Sequence, residues 1–427
     1  MKVCVIGAGS SGITVCKTLK DYNIDFDCFE KGSAIGGNWR YMNDNGMSAA
    51  YRSLHINTSR FIMAYSDFPM PESYPDYPSH LQIIEYFENY VDHFQFREKI
   101  KFRTSVEEVN ELENGKYEVI TVSDLGQTKV IYDAVFVCNG HHWNKRYPNF
   151  PGTFTGRSIH AHEYKTFDGY EDKRVLVIGI GNSATDIAVE LTRVARKVVV
   201  STRSGAYIIP KYILGIPTDQ FAHPIMFKLP FFLQQFFSKI GLMLSVGNQK
   251  KYGVPIPNRP MLSEHPTISQ DLLSYAGHGK ISFKPNIKEL KGRNVLFEDD
   301  TAEEFDEIIY CTGYNITFPF FKQDFLKVEN NNIQLYKRVL HPKHPNLFFI
   351  GLVQPLGAIM PLAEIQAKWS CQILSGKIRL PSLHKMEEDI QRTLVEQTKR
   401  YNSSPRHTIQ VDFYPYKWMI EKELHKK

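Results

Sequence analysis

Two hydrophobic periods alternate along this chain, and each change of period marks an element. Val3 to Ile6 is a short apolar run, as expected of a strand buried on both faces. Phe26 to Phe29, Val175 to Ile178 and Lys197 to Val200 follow the same pattern. Lys101 to Val122 and Lys129 to Val137 alternate apolar and polar positions, which predicts half-buried strands. His80 to Phe94 has helical spacing of its apolar residues. Residues 67–80 open with Asp67-Phe68-Pro69-Met70-Pro71, and such proline density predicts loop. Ile225 to Val246 is apolar but broken by Lys228, Pro230, Gln234, Gln235 and Lys239. It predicts an amphipathic helix packed on the body of the protein; the alternative is a surface that touches a membrane or gates substrate entry. From Pro381 onward the chain is charged and at first helical.

Two of the buried runs lead directly into glycine fingerprints. Gly7-Ala8-Gly9-Ser10-Ser11-Gly12 follows the first, and Gly179-Ile180-Gly181-Asn182-Ser183-Ala184 follows the run ending at Ile178. A strand, a glycine turn and a helix start together cradle a pyrophosphate: glycine permits the close backbone approach, and the helix N-terminus supplies donors and partial positive charge. One such match is weak; two in the right context imply two dinucleotides, a flavin and a nicotinamide. Glu30 ends the second strand of the first unit. A carboxylate there holds ribose hydroxyls and repels a 2′-phosphate, so this site reads as FAD. The second unit instead ends in Ser201-Thr202-Arg203. A guanidinium pairs with phosphate through a planar donor fork, so this site reads as NADPH. The bland alternative for Glu30 and Arg203 is a solvated charge at a strand end.

Composition narrows the class. The 427 residues suffice for two or three domains with real cores, and 42% apolar with 23% charged residues is ordinary for a globular protein. A net charge of +5 without a dense Lys/Arg block suits anionic cofactors and does not argue for nucleic acid. The six cysteines form no Cys-x-x-Cys pair and no disulfide framework, which points to a reducing, cytoplasmic setting. Met1-Lys2 runs straight into the first strand, so no signal peptide is expected, and no window is long and apolar enough to span a bilayer. The His141-His142 and His160-x-His162 pairs lack the cysteines or placed carboxylates of a metal site, and no metal is expected.

An internal echo organises the domains. Tyr132-Asp133-Ala134-Val135-Phe136-Val137-Cys138-Asn139-Gly140 resembles Phe305-Asp306-Glu307-Ile308-Ile309-Tyr310-Cys311-Thr312-Gly313. Each sets an acid before a buried strand and ends in Cys-x-Gly. Such strands return the chain between two domains, and the glycine lets backbone pass close to cofactor. The expected fold class is α/β, with two Rossmann-like domains and the NADPH domain inserted into a discontinuous FAD domain. The expected boundaries are 1–164 and 311–427 for the FAD domain, the latter including a C-terminal helical appendage, and 165–310 for the NADPH domain with an excursion at 206–268.

The ordered motifs resemble those of the flavin-containing monooxygenases over nearly the whole chain. Phe154-Thr155-Gly156-Arg157-Ser158-Ile159-His160, with Tyr164, resembles the family's identifying motif, although Ala161 stands where Ser is common. Gly181-Asn182-Ser183-Ala184-Thr185-Asp186-Ile187-Ala188 resembles its NADPH loop, and Leu54-His55-Ile56-Asn57-Thr58-Ser59 the segment with its active-site asparagine. Cys311-Thr312-Gly313-Tyr314 resembles its linker, with Cys for Ala; Gly351 to Pro355 and Pro361 to Gln366 resemble its closing segment. The resemblance implies NADPH- and O2-dependent oxygenation of soft N or S nucleophiles, amines and sulfides, through a C4a-hydroperoxyflavin, with NADP+ retained to shield it. The C-terminal anchor of animal microsomal members is missing, which suggests a soluble form, and a homodimer is expected.

On this reading the FAD set is Gly7, Gly9, Ser10, Ser11, Gly12, Glu30, Gly37, Asn38, Trp39, Thr58 and Gln354. The glycine-rich loop Ser33 to Trp39 would lie against a flat ring, with Trp39 at its edge. The NADPH set is Ile56, Asn57, Gly179, Gly181, Asn182, Ser183, Ala184, Thr185, Asp186, Thr202 and Arg203. Asn57 carries the catalytic role only through the resemblance; by spacing alone it reads as a loop amide in a turn. Its uncharged donors and acceptor deliver no stray proton. Residues 183–186 also read as a capped helix start, Lys211 as a solvated lysine or a phosphate contact, and Gln354 as a strand-end amide or a flavin contact. His160 is expected to shape a domain junction. A flavin disulfide reductase would need a redox cysteine pair. A Baeyer–Villiger-type ketone monooxygenase would usually have Trp in the Phe-x-Gly segment, where Ile159 precedes the His. A non-catalytic redox sensor remains the alternative from another class.

Overall fold

The computed structural model describes residues 1–257, 259–401 and 408–426. It resolves into two compact units: Met1–Ala50, Leu54–Asn144 and Asn315–Lys427 form the first, Tyr51–Ser53 and Lys145–Tyr314 the second. The divisions fall at 144/145 and 314/315, not at 164/165 and 310/311. The first comes earlier than expected because Arg157–His160 is a strand of the second unit, paired in parallel with Glu307–Tyr310.

The first unit starts with β1 (Lys2–Ile6), α1 (Ser10–Asp21) and β2 (Asp25–Phe29). Its five-stranded sheet is parallel throughout, in the order Leu347–Phe349, Ala134–Val137, β1, β2, Ile100–Lys101. β1 is central and sealed on both faces, which explains its unbroken apolar run. α1 turns Ile13, Cys16 and Leu19 inward; together with Met360–Leu374 and its fully buried Trp369 it contributes to the largest apolar cluster. The alternating stretch from 101 to 122 holds two strands, Thr104–Glu111 and Tyr117–Ser123, separated by a turn closed from Gly115 N to Leu112 O at 2.9 Å. They form an antiparallel sheet with Gly126–Tyr132.

The C-terminal segment is woven into this unit instead of standing apart from it. Gln410–Asp412 pairs in parallel with Gln354–Leu356, and the helix Phe413–Leu424 buries Tyr416 and Ile420 in the main cluster.

The second unit repeats the plan with β3 (Arg174–Ile178), α2 (Asn182–Leu191) and β4 (Lys197–Ser201). Its parallel sheet runs Arg157–His160, Glu307–Tyr310, β3, β4, Ile281–Lys284. The echoed strands thus occupy equivalent places, each beside the strand that enters a fingerprint. The excursion contains short strands and one long helix, α3 (Phe231–Val246), and only Leu242 of that helix is buried. One face of it is covered, with Phe231, Gln234, Gln235, Ser238, Ser245 and Val246 half-buried beside Leu242, and the other is exposed.

Candidate functional site

Both fingerprints are built by the same backbone logic. Gly7 N donates to Phe29 O at 2.8 Å, and Gly179 N donates to Ser201 O at 2.8 Å. Cys138 N donates to Ile6 O and Cys311 N to Ile178 O, both at 2.9 Å. The echoed strands therefore end directly over the turns. A Cβ on Gly7 would lie 2.8 Å from Cys138 O, and one on Gly179 2.5 Å from Cys311 O. The leading glycine of each motif is demanded by the strand that crosses it.

In the first unit the second and third glycines differ in purpose. A Cβ on Gly12 would lie 1.8 Å from Gly7 O, so strand and helix can meet only without one. A Cβ on Gly9 would make only an ordinary contact, 3.6 Å from Gly37 Cα. The local fold tolerates a methyl at Gly9; the room left there is what a pyrophosphate requires. The N-terminus of α1 has no side-chain cap and no acid in its first turn, which leaves donors and partial positive charge for an anion. These features fit FAD.

Some of the other expected FAD residues lie beside this turn, and Gln354 and Thr58 bond to other segments of the unit. Glu30 is buried and accepts from Ala8 N at 2.8 Å, Gly32 N at 2.8 Å and Asn45 Nδ2 at 3.1 Å. It ties the turn to the strand end while keeping lone pairs for a ribose hydroxyl. Gly36 N donates to Ala8 O at 3.0 Å, which lays the Gly37–Trp39 turn against Gly9. Asn38 Oδ1 accepts from Ala49 N at 2.8 Å, and Trp39 is half-buried against the core. Tyr65 Oη donates to Ser10 O at 2.6 Å. Gly351 closes on α1, its missing Cβ being 2.1 Å from Ser11 Oγ. Gln354 lies in the paired strand, its N–H donating to Ile409 O at 2.8 Å.

Asn57 sits in a tightly held loop of the same unit. Ile56 N donates to Pro78 O at 3.0 Å, Arg60 N to Asp76 O at 2.8 Å, and Thr58 Oγ1 to Gly357 O at 3.4 Å. Ile56 is fully buried in the core. Within this frame Asn57 Oδ1 is buried and has no hydrogen-bond partner among the described residues. A buried acceptor left unpaired costs about 1–3 kcal/mol, a cost that a ligand donor would relieve.

The N-terminus of α2 likewise lacks a side-chain cap. Asn182 Oδ1 accepts from Ile268 N at 2.9 Å, Thr185 Oγ1 donates to Asn182 O at 2.9 Å, and Ser183 is exposed. Ala184 and Thr185 face the interior. Asp186 accepts from Tyr51 Oη at 2.5 Å. Burial and that carboxylate raise the Tyr51 pKa, so it stays a donor. Residues 51–53 thus belong to the second unit, although Leu54 onward belongs to the first. Arg52 N reinforces the attachment by donating to Lys165 O at 2.8 Å. Half-buried Lys211 has its pKa lowered by burial, opposed by Asp186 and Asp271.

Arg203 is exposed at the end of β4, after half-buried Thr202, and forms no ion pair with a carboxylate among the described residues. Arg146 donates to Thr312 O at 3.2 and 3.0 Å. Its pKa is lowered by burial and then by the Arg203 charge. Two mutually repelling guanidiniums at a strand end fit the 2′-phosphate of NADPH. Sequence reading missed Arg146 because its place is set by bonds to Thr312 and Gly313, more than 160 residues away in sequence. It also missed Tyr51; Gln366, named there only as part of the closing segment, accepts from Gly351 N through Oε1 at 2.8 Å.

His160 holds the linker. Its Nδ1 accepts from His162 N at 3.1 Å, which leaves Nε2–H to donate to Gly313 O at 3.1 Å. Burial lowers its pKa to about 4, so it is a neutral strut.

Comparison with known proteins agrees with this construction. The profile of the flavin-binding monooxygenase-like family matches residues 1–427. Flavin-containing monooxygenase 5 of Homo sapiens is 38% identical over 437 residues, covering 96% of this chain and 80% of that protein. Dimethylaniline monooxygenase [N-oxide-forming] 2 of Rattus norvegicus is 36% identical over 434 residues, covering 97% and 81%. Among solved structures, S-allyl-L-cysteine S-oxygenase from Allium sativum superposes with a TM-score of 0.76 at 24% identity, over 100% of this chain and 89% of that one.

Proposed function

We propose, from the premise that this chain belongs to the flavin-binding monooxygenase-like family, that it uses NADPH and O2 to oxygenate a soft nitrogen or sulfur atom of a small amine or sulfide. The observation that carries this reading is the duplicated cradle: two equivalent turns, one with Glu30 and one with Arg203 at the end of the neighbouring strand. The 36%-identical rat relative, an N-oxide-forming dimethylaniline monooxygenase, supports the nitrogen arm.

In this reading FAD binds the first unit and NADPH the second. Bound flavin supplies hydride acceptance from NADPH and the activation of O2. The chain's own residues do the rest. Gly7 to Gly12 and the α1 N-terminus hold one pyrophosphate, and Glu30 orients its ribose. Gly179 to Asn182 hold the other, with Arg203 and Arg146 on the 2′-phosphate. Asn57 presents a neutral amide: Oδ1 accepts an N–H, and Nδ2 donates without releasing a proton to the reacting centre. Thr58, Pro78 and Asp76 keep that amide in place.

The test is product stoichiometry. Anaerobic NADPH is expected to bleach the flavin spectrum, and oxygenated buffer with trimethylamine or a methyl aryl sulfide to yield one N-oxide or S-oxide per NADPH consumed. Colourless protein, or reoxidation that yields only hydrogen peroxide with every amine and sulfide tried, would overturn the proposal.

Cofactor choice gives a second expected outcome. Arg203→Ala removes a charged hydrogen bond worth about 1–3 kcal/mol, so NADPH should bind roughly 5–150-fold more weakly. NADH should change little. Titration of the variant with each nucleotide measures both; equal losses would detach Arg203 from the 2′-phosphate.

A further inference from the structure

The end of the excursion is tied to the glycine turn of the second unit. Thr267–Ile268 is a short strand paired in parallel with Ile208–Ile209. Alternate N–H groups of such a strand point to opposite sides. Thr267 N donates to Tyr207 O at 3.0 Å and Ser269 N to Ile209 O at 2.9 Å. Ile268 N points the other way and donates to Asn182 Oδ1 at 2.9 Å. The Thr267 hydroxyl donates to Ile180 O at 2.6 Å. Ile208–Ile209 is held in its turn by buried Gln249, whose Nε2 donates to Ile208 O at 2.6 Å. The strand from Thr267 thus lies between a fixed neighbour and the turn Gly179-Ile180-Gly181.

The two cradles differ at this point. In the first unit the carbonyl between the first two glycines, Ala8 O, accepts from a backbone donor, Gly36 N, at 3.0 Å. In the second the equivalent carbonyl, Ile180 O, accepts from a side chain. Thr267 is 1% accessible and Ile180 is buried, so water does not compete for that bond. The carbonyl governs the group next to it. A trans peptide is planar with its C=O and N–H opposed, and no peptide bond among the described residues is cis. Fixing Ile180 O therefore fixes the direction of the Gly181 N–H. Gly181 caps the uncapped start of α2, where an anion meets backbone donors. Asn182, the first residue of α2, gives its side-chain acceptor to the same strand.

We infer that Thr267 is a positioning residue for the nicotinamide dinucleotide: its hydroxyl, acting through Ile180 O, aims the Gly181 N–H at the pyrophosphate. The inference rests on the reading of the second turn as the NADPH seat. The test titrates the full flavin-loaded chain with NADP+ by calorimetry, in wild type, Thr267→Val and Thr267→Ser. Valine keeps the shape and removes the donor, so NADP+ should bind about tenfold more weakly. Serine keeps the hydroxyl and should stay within about twofold of wild type. In anaerobic flavin reduction the Val variant should need about tenfold more NADPH to reach half its limiting rate and still attain the wild-type limit, since what is lost is binding. Flavin content and melting temperature should match wild type in both variants, which separates a misaimed turn from a misfolded unit. Wild-type protein that takes up no NADP+ would overturn the nucleotide reading of the second turn and this inference with it. Wild-type binding with an unchanged Val variant would overturn this inference alone. So would a Ser variant as weak as the Val variant, or a Val variant that loses flavin or melts early, because either outcome assigns Thr267 to packing.

Discussion

Asn57→Ser is expected to lower the rate of amine or sulfide oxygenation by about 10²–10³-fold, the usual consequence of removing one oriented donor or acceptor at a reacting centre. Reduction by NADPH should survive, because the nucleotide cradle of the second unit is built without Asn57. NADPH would then be consumed with hydrogen peroxide as the main product. The physical basis is the frame around the residue. Backbone hydrogen bonds at Ile56 and Arg60 and the Thr58 hydroxyl hold the loop, while Asn57 Oδ1 stays buried and unpaired among the described residues. A shorter hydroxyl retreats from whatever that oxygen receives. Asn57→Asp keeps the shape but adds a charge to a buried position, which costs several kcal/mol unless it takes up a proton, and it should be at least as damaging. The measurements are product formed per NADPH oxidised and the melting temperature. A Ser variant within tenfold of wild type in product rate, with normal coupling, would remove Asn57 from the reaction.

Gly9→Ala and Gly12→Ala should fail for different reasons. At Gly12 the new methyl would stand 1.8 Å from the Gly7 carbonyl oxygen. Overpacking usually costs about 1–3 kcal/mol, and here the obstacle is backbone, so about 3 kcal/mol or more is expected, with a melting temperature lower by roughly 5–10 °C. At Gly9 the methyl meets nothing closer than 3.6 Å. The Gly9→Ala protein should fold, as judged by far-ultraviolet dichroism and melting of the flavin-stripped forms, yet hold flavin roughly 5–150-fold less tightly, the equivalent of about 1–3 kcal/mol of steric cost. Equilibrium dialysis against FAD reads the second effect, and the stripped proteins read the first. If Gly9→Ala retains flavin as firmly as the parent, the space beside Gly9 is not a pyrophosphate seat.

The legibility of this chain varied with the range of the interaction. The parallel strands were readable because a strand buried on both faces has few polar positions, as Val3 to Ile6 and Val175 to Ile178 do. The echo around Cys138 and Cys311 was readable as repetition, and in the structure the echoed strands take equivalent places and their terminal carbonyls bear on Gly7 and Gly179. The 206–268 excursion was harder. Phe231 to Val246 alternates with glutamines and serines as any amphipathic helix would, and periodicity alone does not say which face turns inward. The C-terminal segment posed a similar problem: Gln410–Asp412 owes its strand conformation to a partner more than fifty residues earlier in sequence.

By itself, the sequence determined the local chemistry: the two glycine turns, the helix starts that follow them, the carboxylate of Glu30 and the guanidinium of Arg203. These depend on backbone freedom and side-chain type within a strand, a turn and a helix, and both are written into consecutive residues. Only the tertiary structure decided which groups meet across distance. It set Tyr51 on Asp186, Arg146 beside Arg203, Gln366 under Gly351, and one face of α3 outward. The reason is that such contacts are chosen by the packing of whole sheets and helices, where one backbone carbonyl or one satisfied amide outweighs any preference a residue carries alone.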